Sequence, residues 1–317
     1  MIISNPATTE RKARAIALGN FDGIHQGHRV VLQPVLEPAL LPASINIPNN
    51  LSKAVVSFSP HPREFFSQQP LPLLTPKQEK AGLLADLGFD ELILIPFDKA
   101  LANLSPRDFV GNILVSQLQA QIISVGADFR FGKARSGTAQ ELKTTANQHG
   151  IAVEINSLHK YRDLSGNLVR VSSSLIRQAL SRGEIIQANQ MLGRAYSLRG
   201  KVVTGQQIGR TIGFPTANLD IAQNKFLPRF GVYAVTVHYQ QQNILGVMNI
   251  GCRPTVAGEA PTIEVHLLDW SGNLYNQELT VTLEAFLRPE QNFASLDALK
   301  SQIQSDCQQA KELVVGC

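Results

Sequence analysis

Four short runs of this sequence carry side chains able to act on phosphoryl groups. The first is Gly19-Asn20-Phe21-Asp22-Gly23-Ile24-His25-Gln26-Gly27-His28. Its glycines at 19, 23 and 27 let backbone approach a ligand. It is expected to lead into a helix, whose free N-terminal amides attract phosphate. His25 and His28 are three apart and share one side of a helical turn. Two imidazoles there can donate to phosphate oxygens and stabilise charge developing on them. The run is neither G-x-G-x-x-G nor a P-loop, since no lysine follows a glycine pair. The second run, Val171 to Leu180, places Ser172, Ser173 and Ser174 at a helix start with Arg177 one turn on, which suits a phosphate clamp.

The third run, Gly205 to Leu219, spaces glycines at 205, 209 and 213, a pattern suited to a loop over phosphates. In an extended strand Thr216 and Asn218 point to the same side. A hydroxyl and a carboxamide oxygen are hard neutral ligands that can join ATP phosphates around Mg²⁺. The fourth run, Thr262 to Trp270, alternates: Ile263, Val265 and Leu267 face one way, Thr262, Glu264 and His266 the other. Glu264 can then accept the proton of a hydroxyl under phosphorylation. Each run has a plainer alternative: a Gly-rich turn with surface histidines, a serine cap with an exposed arginine, a Gly-Pro turn, and a solvent-facing glutamate.

The elements that position these residues change character along the chain. In the first half, apolar runs AIAL, AVVSF, ELILIPF, QIISVGADF and IAVEINSL alternate with helical segments. Thr75, Pro76 and Gly88 bracket one helix; Ser105, Pro106 and Asp108 start another with an approximate capping box. Strands separated by helices predict an α/β domain with a parallel sheet. From Leu198 the strands LRGKVV, VYAVTVHY, ILGVMNI, TIEVHLL and ELTVTLEAF follow closely, predicting an antiparallel β-barrel. A helix over about Ser295 to Val314 ends the pattern. The boundary is placed near Gly183, giving domains 1–183 and 184–317. Four prolines in Gln33 to Ser52 are expected to break the helix begun after His28 and to loop out at the surface.

The 317 residues fit two domains. A net charge of +4 without a basic stripe argues against nucleic-acid binding. No apolar stretch reaches membrane-spanning length. Three unclustered cysteines, Cys252, Cys307 and Cys317, give neither a disulfide framework nor metal-ligand spacing. The expectation is a cytoplasmic protein.

At the H-x-G-H run the sequence resembles the nucleotidylyltransferases, and most closely the family of bifunctional riboflavin kinase/FAD synthetases. SFSPHPREFF (Ser57 to Phe66) resembles that family's T-F-D-P-H-P stretch, with Ser59 in place of Asp. GADFRFGKARSGT (Gly126 to Thr138) resembles G-x-D-F-R-F-G-x-x-R-x-G-D, ending in Thr138 instead of Asp. VSSSLIRQAL resembles I-S-S-T-x-I-R. Downstream, GFPTANL, GVYAV (Gly231 to Val235), NIGCRPTV (Asn249 to Val256), the Glu264 strand and FLRPEQNF (Phe286 to Phe293) resemble the kinase module in order and spacing. Asn276 replaces the glycine of its L-Y-G-Q turn, a change that asparagine's tolerance of positive φ makes mild.

The resemblance implies riboflavin, FMN, FAD and ATP as ligands and Mg²⁺ as cofactor. It implies that Gly19, Phe21, Gly27, Ser172, Ser173, Arg177, Gly209 and Gly213 contact ATP or phosphate. His25 and His28 are implied to act in adenylyl transfer, Thr216 and Asn218 to bind the metal, and Glu264 to be the catalytic base. Asp128, Phe129 and His61 are the implied flavin contacts, with Phe131 an alternative for stacking; core packing remains open for both phenylalanines. Arg253 and Arg288 are weaker candidates that can equally brace loops.

Overall fold

The computed structural model describes residues 1–6, 8–40, 50–162, 166–205, 209, 212–255 and 258–315. Residues 41–49 of the Pro-rich segment and Cys317 lie outside the described residues, as does the side chain of Arg253. The chain divides into two compact units, Met1–Ser173 and Ser174–Cys317.

In the first unit the elements are β1 (Ile2–Ser4), β2 (Arg14–Leu18), α1 (Gln26–Leu36), β3 (Ser52–Ser59), α2 (Pro62–Ser67), α3 (Lys77–Asp86), β4 (Glu91–Pro96), α4 (Lys99–Ala102), α5 (Pro106–Asp108), β5 (Ala120–Gly126), β6 (Arg130–Phe131), β7 (Gly137–Thr138), α6 (Ala139–Asn147), β8 (Ala152–Asn156), β9 (Lys160–Arg162) and β10 (Leu168–Arg170). A six-stranded sheet runs β1-β4-β3-β2-β5-β8, parallel throughout. Every residue of β2 is buried, as a strand with both faces covered requires. Separate apolar cores fill the two faces: one built on Ile16, Val56, Ile123 and Val153, the other on Ala17, Val55, Leu84 and Leu92. The chain winds from β2 through β3 to β4 on one side, then from β5 to β8 on the other. The reversal between β2 and β5 opens the crevice where such sheets hold ligands at their carboxyl ends.

Local chemistry departs from expectation in three places. Pro34 lies buried inside α1, which continues to Leu36. The helix thus outlasts the first proline by two residues and forgoes the one backbone bond that the Pro34 amide would have made. Thr75 does not cap α3; Pro76 occupies the N-cap without a side-chain bond, and the Thr75 hydroxyl turns to the loop after β2. The segment after Ser105 has its capping box, with the Ser105 hydroxyl bonded to Asp108, but continues as a π-helix over Phe109–Gln117. Strand β1 and the two ribbons β6-β7 and β9-β10 carry too few residues to show a period in the sequence.

The second unit takes in α7 (Ser173–Arg182, from Ser174), α8 (Ile185–Leu192), β11 (Tyr196–Val203), β12 (Ala217–Ile221), β13 (Gly231–Tyr239), β14 (Gln242–Thr255), β15 (Gly258–Leu267), β16 (Glu278–Arg288) and α9 (Leu296–Val315). The strands close an antiparallel barrel in the order β11-β12-β15-β14-β13-β16. Strand β11 alternates buried and outward residues, the period a barrel wall imposes. Helix α9 lays Ala310 and Cys307 against Val232, Ala234 and Val247. Arg288 reaches Asp306 of α9 through both carboxylate oxygens, 2.8–3.1 Å, and is therefore a brace of this helix. Asn276 adopts φ 65°, the left-handed conformation expected of it in place of glycine.

Candidate functional site

The loop after β2 is shaped by backbone that turns sharply three times, with φ of 48° at Phe21, 92° at Gly23 and 42° at Ile24. The turns deliver His25 to the N-cap of α1, where its Nδ1 accepts the amide of His28 at 3.2 Å. Accepting an N–H requires an unprotonated Nδ1, so the neutral ring carries its proton on Nε2. The His28 ring stacks on His25 with centroids 3.6 Å apart. The pair thus forms one packed unit rather than two residues along a helical face. Phe21 is 1% exposed and meets His28 edge-on at 5.3 Å. Its ring is buried against the edge of the His28 ring. Gly19 and Gly27 are required for closeness: a Cβ would lie 3.2 Å from the Phe21 ring at 19, and 3.2 Å from the His25 ring at 27.

Distant segments converge on this loop. Gly23 donates its amide to the Thr75 hydroxyl at 2.9 Å, and Thr75 donates its own amide to Asp22 at 3.1 Å. Lys80 Nζ and the Ser57 hydroxyl both donate to the Asn20 carbonyl, at 2.8 and 3.0 Å. The Ser173 hydroxyl donates to the Asp22 carbonyl at 2.8 Å. Ser173 is therefore a staple of the loop, with Ser172 beside it ahead of the helix. Arg177, one turn further along α7, lies over the Phe226 ring at 5.9 Å within the second unit.

The proposed flavin contacts follow the carboxyl ends of β3 and β5, the two strands that flank β2. Asp128 follows β5 and is ion-paired with Arg170. Arg170 escaped the sequence reading because it precedes, and does not belong to, the serine run. His61 caps α2 through Nδ1, accepting the Arg63 amide at 3.0 Å. Phe129 is half-buried and stacks on the buried Phe131 at 5.7 Å, so Phe131 belongs to the core. The larger aromatic surface was missed: Phe65 and Phe66 of α2 meet Phe97, at 5.3 and 5.7 Å, and Phe66 is 66% exposed. Thr138, where the resembled family carries Asp, caps α6 by accepting the Glu141 amide at 3.1 Å. An Asp would make the same bond, so the exchange preserves the cap. Ser59 ends β3 exposed, and its carbonyl accepts the Phe97 amide at 3.0 Å.

The barrel builds a second site from strand register. Glu264 on β15 stands opposite Asn218 on β12 and, across its other edge, opposite Asn249 on β14. Directly opposed residues share a face, so the three form a row across the sheet. The half-buried Glu264 and its fully buried neighbours Ile263 and Val265 reproduce the alternation read from the sequence. Asn249 opens the NIGCRPTV run, but only the pairing of β14 with β15 places it in the row beside Glu264. Its amide donates to Glu290 at 3.3 Å. Thr216 leads directly into β12, and the Pro215 carbonyl ahead of it bonds His266 Nδ1 at 2.8 Å. Gly205 packs against the Asn218 carboxamide so closely that a Cβ there would collide with it. Gly209 accepts the Phe214 amide through its carbonyl at 2.8 Å, and Gly213 takes φ 92°. Beside Thr216 opens a cleft of about 510 Å³ whose walls include Val202, Leu267, Trp270, Leu274 and Tyr275. Thr216 and Asn218 supply neutral oxygens, with the Glu264 carboxylate next to Asn218. That donor set fits a magnesium ion carried in with nucleotide phosphates.

Comparison with known proteins agrees with this division. The FAD synthetase family model matches residues 7–174, and the riboflavin kinase model matches residues 192–314. The bifunctional riboflavin kinase/FMN adenylyltransferase of Escherichia coli (strain K12) is 38% identical over 98% of this chain and 96% of its own length. That of Pseudomonas fluorescens is 38% identical over 96% of this chain and 94% of its own. The crystal structure of a macrolide-efflux protein from Streptococcus pneumoniae superposes with a TM-score of 0.83 at 28% identity, over 98% of this chain and 99% of that one. Among the described residues no helix is long and apolar enough to cross a membrane. With both modules matched in order and relatives aligned from end to end, the chain belongs to the bifunctional riboflavin kinase/FMN adenylyltransferase family.

Proposed function

We propose that this chain makes FAD from riboflavin in two ATP-dependent steps, one in each module. ATP phosphorylates riboflavin to FMN and leaves as ADP; a second ATP adenylylates FMN and leaves as pyrophosphate. The observation that carries this reading is a match along nearly the whole chain to bifunctional relatives, with the two family models matched in order. We assign 1–183 to adenylyl transfer and 184–317 to the kinase, and place the reactions in the cytoplasm, where ATP is supplied.

In the kinase step Glu264 accepts the proton of the ribityl hydroxyl as its oxygen bonds the γ-phosphorus and the bond to the β-phosphate breaks. Thr216 and Asn218 orient the phosphates, with Gly205 allowing the Asn218 amide its place and Gly209 and Gly213 shaping the cover. Thr216 and Asn218 would hold Mg²⁺ together with the phosphates, and the ion would supply charge neutralisation on the leaving ADP. The cleft beside Thr216 offers apolar and aromatic walls for a planar base.

In the adenylyl step no protein nucleophile is needed. An FMN phosphate oxygen bonds the α-phosphorus of ATP as the bond to the β-phosphate breaks. The loop Gly19 to Gly27 and the start of α1 hold the phosphates. His25 and His28 stabilise charge on the reacting phosphoryl oxygens, with Ser172 and Ser173 as further phosphate contacts. Asp128 and His61 take the flavin's polar groups, and Phe129 and the Phe65–Phe66–Phe97 cluster offer stacking surface for its ring. Chromatography of flavins after incubation with riboflavin, ATP and Mg²⁺ tests the proposal: FMN and then FAD are expected. FMN alone would overturn the adenylyl assignment, and no product would overturn both.

A further inference from the structure

Lys80 lies on α3, outside every run that the chemistry has so far used. It is only 7% exposed, although a lysine normally reaches water. Its Nζ lies 2.8 Å from the carbonyl of Asn20, the second residue of the loop that ends in the His25 cap. The same carbonyl accepts the Ser57 hydroxyl from β3 at 3.0 Å. Two residues on, the buried Asp22 is tied to Thr75, which also takes the Gly23 amide. Thr75 and Lys80 flank the start of α3, so one short segment grips both ends of the Asn20–Gly23 turn.

We propose that Lys80 is a positioning residue for adenylyl transfer: its ammonium fixes the Asn20 carbonyl, and through the Asn20–Gly23 turn it fixes the placement of the stacked His25–His28 pair. This rests on the reading of that pair as the adenylyl-transfer site. A charged donor makes a stronger bond than a neutral one, and the turn it anchors leads to the cap whose geometry positions both rings. Misplacing reacting groups by about 1 Å costs on the order of 10²-fold in rate. The clamp also titrates in a useful range. Burial pulls the Lys80 ammonium down to about 8, against the field of Asp22, which raises it. Asp22 is the charged group whose field reaches it; Ser57 from β3 and Thr75 ahead of α3 face the same turn as neutral hydroxyls. The ammonium is complete well below pH 8 and half lost near it, and the neutral amine left at higher pH donates more weakly, so the clamp on adenylyl transfer loosens as pH rises.

The test uses the full chain, with FMN, ATP and Mg²⁺ for adenylyl transfer and riboflavin, ATP and Mg²⁺ for the kinase, each over pH 6 to 10. Wild type is expected to show an alkaline fall in adenylyl kcat with a midpoint near 8 that the kinase lacks. Lys80→Met is expected to lower adenylyl kcat at pH 7 at least tenfold, to abolish that limb, and to leave kinase turnover within twofold. If a melting curve shows that Lys80→Met fails to fold, Asp22→Asn serves instead. Without the Asp22 charge the limb moves to lower pH, by about one unit, a shift that a merely structural role does not produce. An adenylyl profile without the limb, or a limb unmoved in the folded variants, overturns the proposal. Absence of any FAD from wild type overturns the adenylyl-site reading beneath it.

Discussion

Adding one methyl group at Gly27 separates activity from stability. Gly27 is the second residue of α1, and alanine there is intrinsically better in a helix by roughly 0.5–1 kcal/mol. Its Cβ, however, would lie 3.2 Å from both Cε1 and Nδ1 of His25. The ring must yield by a few tenths of an ångström to reach ordinary contact. It has little room: His25 is 5% exposed, its Nδ1 holds the His28 amide, and its face is stacked on His28 at 3.6 Å. On the other side the Val171 carbonyl lies 3.6 Å from the new methyl, so the helix start cannot simply back away. If about 1 Å of misplacement costs on the order of 10²-fold, a shift of a few tenths corresponds to roughly three- to tenfold in adenylyl kcat. Gly27→Ala is therefore expected to melt no lower than wild type, keep kinase turnover, and make FAD from FMN three- to tenfold more slowly. Steady-state assays of both reactions beside a thermal melt decide it. Unchanged adenylyl kcat would refute the claim that the histidine pair works as one packed unit.

Three further outcomes follow from other parts of the chain. Glu264→Gln keeps size while removing the basic carboxylate, so kinase turnover should fall ~10²–10⁴-fold with little change in ATP affinity; recovery of turnover in excess Mg²⁺ would make Glu264 a metal-site residue instead. Gly205→Ala drives a methyl into the Asn218 carboxamide and should raise the Mg²⁺ and ATP requirement of the kinase without touching FMN adenylylation; unchanged Mg²⁺ dependence would remove Asn218 from the metal site. At the start of β4, burial pushes the Glu91 carboxyl up but bonds from Ser52, Lys12 and Arg14 outweigh it, leaving it at about 2 against an ordinary 4.5. This depressed carboxyl contributes about 3 kcal/mol that is complete above pH 4.5 and lost as pH falls toward 2. Glu91→Gln should lower the melting temperature of the first unit at pH 7 and flatten its dependence on acid; a parallel, undiminished acid slope would contradict that.

The sequence was most informative where a period or a cap imposes structure directly. The alternation around Glu264, the closely spaced barrel strands, the terminal helix and the parallel strands of the first half all appear as expected. The glycines stood out in the sequence as sites of close ligand approach, but the contacts they make are within the chain: Gly23 and Gly213 take positive φ, and Gly27 and Gly205 sit against the His25 and Asn218 side chains. What stayed hidden depends on partners far along the chain. Lys80 is separated from Asn20 by 60 residues, and on a helix pattern it reads as an ordinary solvated lysine. Thr75 looks like a cap, and only the folded loop shows its hydroxyl turned to Gly23. Asn249 joins Glu264 through strand register, which no local pattern specifies. The stacked histidines differ from the expected helical face because His25 is the cap itself and its Nδ1 bonds the His28 amide.

Flavin chromatography of the full-length His28→Ala protein tests most directly whether one chain holds two chemically independent sites. Supplied with riboflavin, ATP and Mg²⁺, this protein should convert riboflavin to FMN at the wild-type rate. FMN should then accumulate, with FAD formation reduced roughly a hundredfold or more. Parallel loss of FMN and FAD in a protein whose melting curve matches wild type would contradict two independent sites.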